Sequence, residues 1–385
     1  MKEETLYRVV VMGGDHYNTY GIVRSLGEVG VHSFVVVLGK KNCKSFVLKS
    51  KYIDRGFGCE TPKDAIETLL NNFDSTTKNI VICCSDEAEE LVLKHYEELS
   101  SSLILPVCKD YENTALYMNK DAISLKAEEC GIRIPKTWTI RDRKTEGEII
   151  FPCITKPLYS TLGHKSDIVV CHTPQELNAV IQDKERCADY VVQEYVEFEK
   201  EISILGAVLN DGSVCFSGCI DKIRTCSIGT SSFAKMIDNS ILGDTKDKLE
   251  LLLQKTQYRG LFSAEFLMKG DEFYFLEVNF RNDGNTYVAT ASGNNLPYRY
   301  VASYLDIVPQ IKPDATYPCY FMLDIEDFMA RNKNNITYKQ WRKDLKMANC
   351  YLVYNKSDKK PFYKKVQNLF EFYLRAVLRK IGLTK

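Results

Sequence analysis

Read from the N-terminus, apolar residues first form a short unbroken run, Tyr7 to Met12, that ends at Gly13-Gly14. A run of that length closed by glycine predicts a strand buried on both faces. The period then changes, because Ile22, Val23, Leu26 and Val29 recur at helical spacing within Tyr20 to Val29. Phe34 to Leu38 and Asn79 to Cys84 are further buried-strand runs. Thr61 to Phe73 opens on Thr61-Pro62, a capping residue followed by a first-turn proline, and Asp86 to Leu99 follows the third strand, so both are predicted helices. Strands and helices alternating in this way predict a parallel α/β sheet, and we end that unit near Glu112.

A helix is expected from Lys120 to Cys130, closed by Gly131 and Pro135. Strands are expected at Cys153 to Lys156 and Ile168 to Cys171, then a helix from Thr173 to Asp183 and a strand from Tyr190 to Gln193 running into Glu194. From there the signals turn antiparallel. Ile202 to Leu209 and Val214 to Ile220 flank Asn210-Asp211-Gly212, a hairpin turn, and Phe262 to Met268 with Phe273 to Val278 predicts a second hairpin. The fold class is therefore mixed α/β and α+β, divided at 1–112, 113–190, 191–311 and 312–385, the last a more polar and basic extension. Near its end Phe362, Tyr363, Val366, Leu369, Phe370, Tyr373, Leu374, Val377, Leu378 and Ile381 mark one helical face, with Lys364, Lys365, Arg375, Arg379 and Lys380 among or beside them. Docking of this helix on the core is the favoured expectation. The rival is an interfacial helix at the inner face of an anionic membrane.

Composition narrows the field. The 385 residues are 45% hydrophobic and 26% charged, with 51 basic and 51 acidic side chains. A formal net charge of +0 provides no global field for nucleic acid, so any anion site is local. The 14 cysteines include no Cys-x-x-Cys pair, and because the charged Met1 to Thr5 leads straight into the first strand, a secretory leader is not expected. The expectation is buried thiols in a reducing cytoplasm, with thiolate–zinc chemistry ranked well below. No apolar stretch nears the roughly 20 residues that span a bilayer.

Three groups of polar residues carry candidate chemistry. In the second hairpin Glu265 lies on one strand and Glu277, Asn279 and Arg281 alternate on the other, which puts those three on one face. Two carboxylates and an amide oxygen suit Mg²⁺ bridging phosphates, and an adjacent arginine suits a phosphate or carboxylate. A solvated face of charge pairs is the even alternative. Upstream, Val192-Gln193-Glu194-Tyr195-Val196 can offer backbone groups to an adenine edge, with Glu201 placed to reach ribose hydroxyls. Lys120 precedes a helix, and Lys156 closes a strand ahead of the small, hydroxyl-rich loop Pro157 to Ser166, where a lysine can neutralise nucleotide phosphates. That loop holds only Gly163 and is no Walker-type loop.

Taken in order, Lys120, Lys156 with its loop, Gln193 to Val196 with Glu201, Glu265, then Glu277-x-Asn279-x-Arg281 resemble the ATP-grasp superfamily, and within it the carboxylate–amine ligases. The resemblance covers roughly residues 1 to 300. It implies a Rossmann-like, parallel-sheet pre-ATP-grasp domain at 1–112, a two-lobed core, and ATP and Mg²⁺ as cofactors. It implies that Lys120 and Lys156 meet nucleotide phosphates, Gln193 to Val196 form the adenine hinge, and Glu201 holds the ribose. Glu265, Glu277 and Asn279 would ligate the metal, Arg281 would steady the acyl phosphate, and Lys222 or Arg224 would supply a further cation. Where relatives often carry Asn-Pro-Arg, this chain has Asn279-Phe280-Arg281. The longer run Glu277 to Pro297 is similar to a D-aspartate-ligase-like and carboligase-like subgroup. The implied reaction is amide formation through an acyl phosphate, ADP-forming, between a small-molecule carboxylate and an amine. The rivals are a bicarbonate-using carboxylase-like enzyme and a degenerate nucleotide-binding module. A second copy of the chain is a candidate partner. Met12 to Thr19 lacks the dinucleotide fingerprint and reads as a turn facing the cleft; His16 within it and Asp86, beside the cap Ser85, are lesser site candidates.

Overall fold

The computed structural model describes residues 7–144, 147–157, 168–227, 230–305, 307 and 315–380. The first sheet is built from β1 (Tyr7–Gly14), β2 (Ser33–Leu38), β3 (Ile53–Cys59) and β4 (Lys78–Cys83), with α1 (Tyr17–Gly27), α2 (Pro62–Asn72), α3 (Asp86–Lys94) and α4 (Tyr96–Leu99) between and after them. Its order is β3-β2-β1-β4, all parallel. Val9 and Val11 of β1 enter one apolar cluster while Val10 and Met12 enter another. Burial on both faces is why the run is unbroken rather than alternating. The sequence pattern did not reveal β3: its Asp54 and Arg55 are exposed at the sheet edge, so it lacks an apolar run. The helix expected from Asp86 to Leu99 breaks at His95.

The chain leaves β1 toward β2 on one side while β4 lies on the other, so the carboxyl ends of β1 and β4 border a topological switch point. In open α/β sheets such points form ligand crevices. Gly13 permits this closeness, since a Cβ there would lie 2.6 Å from Thr19 Oγ1 and 2.8 Å from Cys84 Cβ.

Next come α5 (Glu112–Met118) and α6 (Lys120–Glu129), then β5 (Thr137–Ile140), β6 (Cys153–Pro157), β7 (Val169–Cys171), α7 (Pro174–Gln182) and β8 (Tyr190–Glu194). These strands form a four-stranded antiparallel sheet, β5-β8-β6-β7, with its own small core of Ile140, Cys153, Cys171, Leu177, Ile181, Tyr190 and Val192.

The large sheet uses β9 (Lys200–Val208), β10 (Val214–Ser227), β11 (Thr230–Ile237), β12 (Gly260–Lys269) and β13 (Glu272–Asn279), with α8 (Asp244–Thr256) in between. After α9 (Thr286–Ser292) and α10 (Leu296–Ser303) the chain adds β14 (Cys319–Met322), α11 (Asp324–Ala330), α12 (Tyr338–Met347), β15 (Cys350–Tyr351) and α13 (Lys360–Lys380). The order is β13-β12-β9-β10-β11-β14-β15. A division at 311/312 therefore cuts through a sheet, because β14 pairs with β11. Likewise α6 packs through Ile123 and Ala127 on the core beneath β12 and β13, not on the small sheet. The opposite face of the large sheet shares one continuous apolar cluster with β1, β2 and α1, bridged by Tyr287, Val288, Leu296 and Tyr300 of α9 and α10.

The expected docking of the last helix holds for its first half only. Phe362 packs on the main core, Lys365 pairs with Glu326, and Asn368 donates to the Lys44 carbonyl at 2.7 Å. Beyond that Phe370, Phe372, Tyr373, Leu374 and Val377 are about half to two-thirds exposed. Ile381 lies outside the described residues.

Candidate active site

A change of phase in β13 creates the polar row. Phe273 and Phe275 point into the core with Phe266, yet so does Val278, three residues later. A bulge between the pairs Phe266↔Phe275 and Glu265↔Glu277 accounts for it, with Leu276 as the extra residue. Such a bulge re-aims the side chains that follow. Glu277 and Asn279 thereby leave the core face, and Glu277 comes directly opposite Glu265, as Asn279 does opposite Ser263. Directly paired residues on antiparallel strands bring their Cβ atoms within about 5 Å. On β12 the flanking Ala264 and Phe266 enter the core, which sends Glu265 to the same open face.

The two carboxylates titrate in opposite directions. Burial, then the neighbouring Glu277, pushes Glu265 up to about 7, against the pull of Lys222. Burial also works to raise Glu277, but Lys120 outweighs it by charge and hydrogen bonding, aided by Asn279 and Lys156, and the net result is a lowered value. Lys120, the first residue of α6, sits 2.5 Å from Glu277 Oε2. Lys156 at the end of β6 donates to Gln193 Oε1 at 2.9 Å, and burial together with Lys120 lowers its pKa. Gln193 in turn donates to Thr137 Oγ1 at 3.1 Å. Two neighbouring lysines with one glutamate between them leave a surplus of positive charge that an anion can neutralise. The loop segment Leu158 to Ser166 lies outside the described residues.

The amides of Glu194 and Tyr195 are taken by the carbonyls of Lys136 and Pro152 at 2.8 and 2.9 Å, and Glu194 Oε2 accepts from the Lys136 amide at 3.2 Å. Val196 is buried just beyond them. Glu201 on β9 is paired with Lys222 on β10, so these two site candidates neutralise each other. The sequence reading placed Lys222 and Arg224 after the strand; both lie within β10, which continues to Ser227.

At the other end of the row Arg281 is paired with Asp86 and donates to the Asn282 carbonyl at 3.2 Å and to Asn279 Oδ1 at 3.4 Å. Asp86 opens α3 at the carboxyl end of β4, with Ser85 as the cap. The Asn282 amide donates to the Cys83 carbonyl at 3.0 Å. The row therefore ends at the crevice of the first sheet. Phe280, standing where relatives often have proline, is buried against Tyr258 with ring centroids 4.8 Å apart. His16 caps α1, accepting from the Asn18 amide at 3.3 Å, and burial followed by Lys365 lowers it to about 4, so it is a neutral imidazole.

Arg224 is not brought to the row. Its guanidinium forms a bidentate pair with Asp327 at 3.1 and 2.8 Å and a third bond to Asp344 at 2.6 Å. Sequence reasoning missed Glu89, which is 4% exposed, has no hydrogen-bond partner on Oε1 among the described residues, and is raised to about 8 by burial, opposed by Arg281. In the sequence it is one acid within Asp86-Glu87-Ala88-Glu89-Glu90, a run that looks like a solvated face. Among the described residues no group of three or more His, Cys, Asp or Glu side chains is arranged for a metal. Two carboxylates and one amide remain a fitting donor set for Mg²⁺, which keeps several waters and takes phosphate oxygens from its substrate.

Comparisons with known proteins place the chain among relatives at the level of the domain and the fold. Residues 125–295 match the ATP-grasp domain. A formate-dependent phosphoribosylglycinamide formyltransferase from Wolinella succinogenes is 27% identical over 176 residues, 43% of this chain and 44% of that one. The chain thus spans less than half the length of that relative. A D-aspartate ligase from Enterococcus faecium is 23% identical over 319 residues, 75% of this chain and 74% of that one. Among solved structures, the N5-carboxyaminoimidazole synthetase from Staphylococcus aureus superposes with a TM-score of 0.62 at 14% identity, covering 87% of this chain and 88% of that one.

Proposed function

We propose, from the match of residues 125–295 to the ATP-grasp domain, that the chain is an ADP-forming ligase that joins a small carboxylic acid, such as an amino acid, to an amine. The observation that carries the reading is the facing pair Glu265↔Glu277, flanked by Lys120 and Lys156 at one end and Arg281 at the other. ATP would lie between the small and large sheets, its phosphates on Lys120 and Lys156. The Gln193–Val196 segment would border the adenine, and Glu201 the ribose. Magnesium on Glu265, Glu277 and Asn279 would neutralise charge on the phosphates. The substrate carboxylate would attack the γ-phosphoryl group, releasing ADP, and the amine would then displace phosphate from the acyl phosphate. Arg281, held by Asp86, is placed to steady the charge that develops on the acyl oxygens. Lys222 is held by Glu201 beside Glu265 and completes the rim.

This work is mainly positioning and neutralisation, as phosphoryl transfer requires. No cysteine is needed, and a chain with 14 cysteines, most of them buried, suits a reducing compartment such as the cytoplasm. The test is ADP and phosphate release from ATP and Mg²⁺ with amino acids supplied as acid, as amine, or as both. ADP formed only when both are present supports ligation. ADP formed with bicarbonate alone would replace it with a carboxylase-like reaction, and nucleotide binding without turnover under any pairing would reduce the chain to a binding module.

A further inference from the structure

The end of the fold carries a surface that the ligase reading does not use. A cavity of about 590 Å³ opens between α11, α12 and α13, walled by Phe328, Tyr338, Trp341, Tyr354, Phe362 and Val366. Tyr338 is shared with an adjoining cleft whose other walls are Lys339, Arg342, Lys343 and Lys346. These four cations recur at i, i+3, i+4 and i+7, so they form a single stripe on α12. Among the described residues none of the four has a carboxylate within ion-pair distance, and the Arg342 guanidinium lies 5.9 Å from the centre of the Tyr338 ring. The acid of that helix, Asp344, is turned inward to Arg224.

From the cavity the apolar row runs on along α13. Phe362 and Val366 line it, and Phe370, Leu374 and Val377 continue at helical spacing, with Phe370 67% and Val377 55% exposed. Arg375 and Arg379 flank this outer part, whereas its acid, Glu371, is bound by Lys44.

We propose that α12 and the outer half of α13 form a docking surface for an anionic phospholipid bilayer. The α12 stripe would meet headgroup phosphates, and the apolar row of α13 with the mouth of the cavity would enter the acyl boundary. Charge decides among occupants. A second copy seated on this face would oppose one unpaired basic stripe with another. A bilayer bearing anionic lipid supplies the missing negative charge and an apolar layer at the depth that an aromatic row flanked by long basic side chains matches. None of these residues belongs to the carboxylate row, so the surface stands or falls apart from the ligase reading. No helix among the described residues is long and apolar enough to cross a membrane, so the contact is a peripheral one.

The experiment is co-sedimentation of the full chain with vesicles of phosphatidylcholine alone and of phosphatidylcholine mixed with phosphatidylglycerol. Binding is expected to the mixed vesicles only and to weaken steeply as salt rises. Lys339→Glu with Lys343→Glu, and separately Phe370→Ser with Val377→Ser, are each expected to lower the partition coefficient by roughly tenfold or more, by loss of surface attraction and of buried apolar area. All four positions are exposed, so circular dichroism and solution turnover should match the parent and exclude misfolding. Inorganic phosphate is expected to compete no better than chloride at equal ionic strength. Equal binding to both vesicle types, or binding to neither, overturns the proposal. So does competition by phosphate, or a dimer that the Phe370→Ser, Val377→Ser variant dissolves.

Discussion

Lys222 and Arg224 lie two residues apart on β10, yet they serve opposite kinds of charge cluster. Around Arg224 every charge has an opposite partner. Asp327 accepts from Arg224 and from Ser232 at 2.7 Å, Asp344 accepts from Arg224 and from Gln340 at 2.7 Å, and the guanidinium lies 4.6 Å above the Phe233 ring. All three charged groups are less than a tenth exposed. Around Lys222 the charges are left in conflict. Glu265 faces Glu277, Lys156 faces Lys120, and the carboxylates are pushed in opposite directions. A bulge between Lys222 and Arg224 separates the two neighbourhoods. A buried ion cluster that satisfies itself holds a fold together, whereas one that perturbs its own members is the expected signature of a site awaiting a ligand.

The comparison breaks most visibly by mutation of Arg224. Arg224→Ala strands two buried carboxylates, and losing one partner of a buried pair costs about 3–5 kcal/mol. Urea unfolding should show that loss, while turnover per folded molecule stays near the parent value. Reduced turnover at unchanged stability would return Arg224 to the active site.

Glu277→Gln should do the reverse. A neutral amide cannot hold a divalent charge between phosphates, so turnover should fall by roughly 10²–10³-fold, about 3–4 kcal/mol in the barrier. Its urea midpoint should stay close to that of the parent, because the ion pair it loses joins Glu277 to a lysine whose side chain is 72% exposed. Near-normal turnover would remove the magnesium assignment.

Glu265 sharpens the contrast because it should give up stability for function. Its folded pKa of about 7 lies above the ordinary 4.5, so the folded protein binds the extra proton and its stability falls as pH rises from about 4.5 to about 7. At 1.36 kcal/mol per pH unit the full rise amounts to about 3 kcal/mol, lost above pH 7. Glu265→Gln should therefore be more stable than the parent at pH 8 in the absence of nucleotide and equal to it near pH 4, while being inactive. Thermal unfolding across pH measures this, and Mg²⁺ with ATP should close the gap at pH 8. A parent whose stability rises between pH 5 and 7.5 by this comparison would show that Glu265 is already paired.

The sequence made the carboxylate row legible and left Arg224 open because periodicity reports which side chains share a face but not what lies opposite. The row needs only two adjacent strands, and Glu277, Asn279 and Arg281 alternate in plain view. The partners of Arg224 stand 103 and 120 residues away on helices with no motif of their own. The parallel strands β1, β2 and β4 were readable as unbroken apolar runs, whereas β3 was hidden because an edge strand needs no such run. Asp86 was visible only as a neighbour of a helix cap; its role beside Arg281 depends on how the first sheet sits against the large one, which no local pattern encodes.

The smallest effect is expected at Lys156. Its ammonium is buried beside Lys120, so in the absence of ligand it is slightly unfavourable, and its hydrogen bond to Gln193 offsets part of that cost. Removing it should leave ligand-free thermal unfolding unchanged or marginally improved. With nucleotide bound as proposed, the same charge would lie against phosphate, where a charge-assisted contact contributes about 1–2 kcal/mol, or roughly tenfold in affinity. Lys156→Met, which keeps the apolar stem, should raise the KM for ATP by about that factor and lower the stabilisation that saturating ATP confers. Lys120→Met should match it in KM but differ in one respect: it frees Glu277 from its partner, so the Glu277 carboxyl rises toward Glu265 and the acid limb of the pH–rate profile moves up. If Lys156→Met instead lowers the melting temperature of the ligand-free protein by several degrees, Lys156 belongs with Arg224 as a structural charge, and the division drawn between the two clusters fails at that residue.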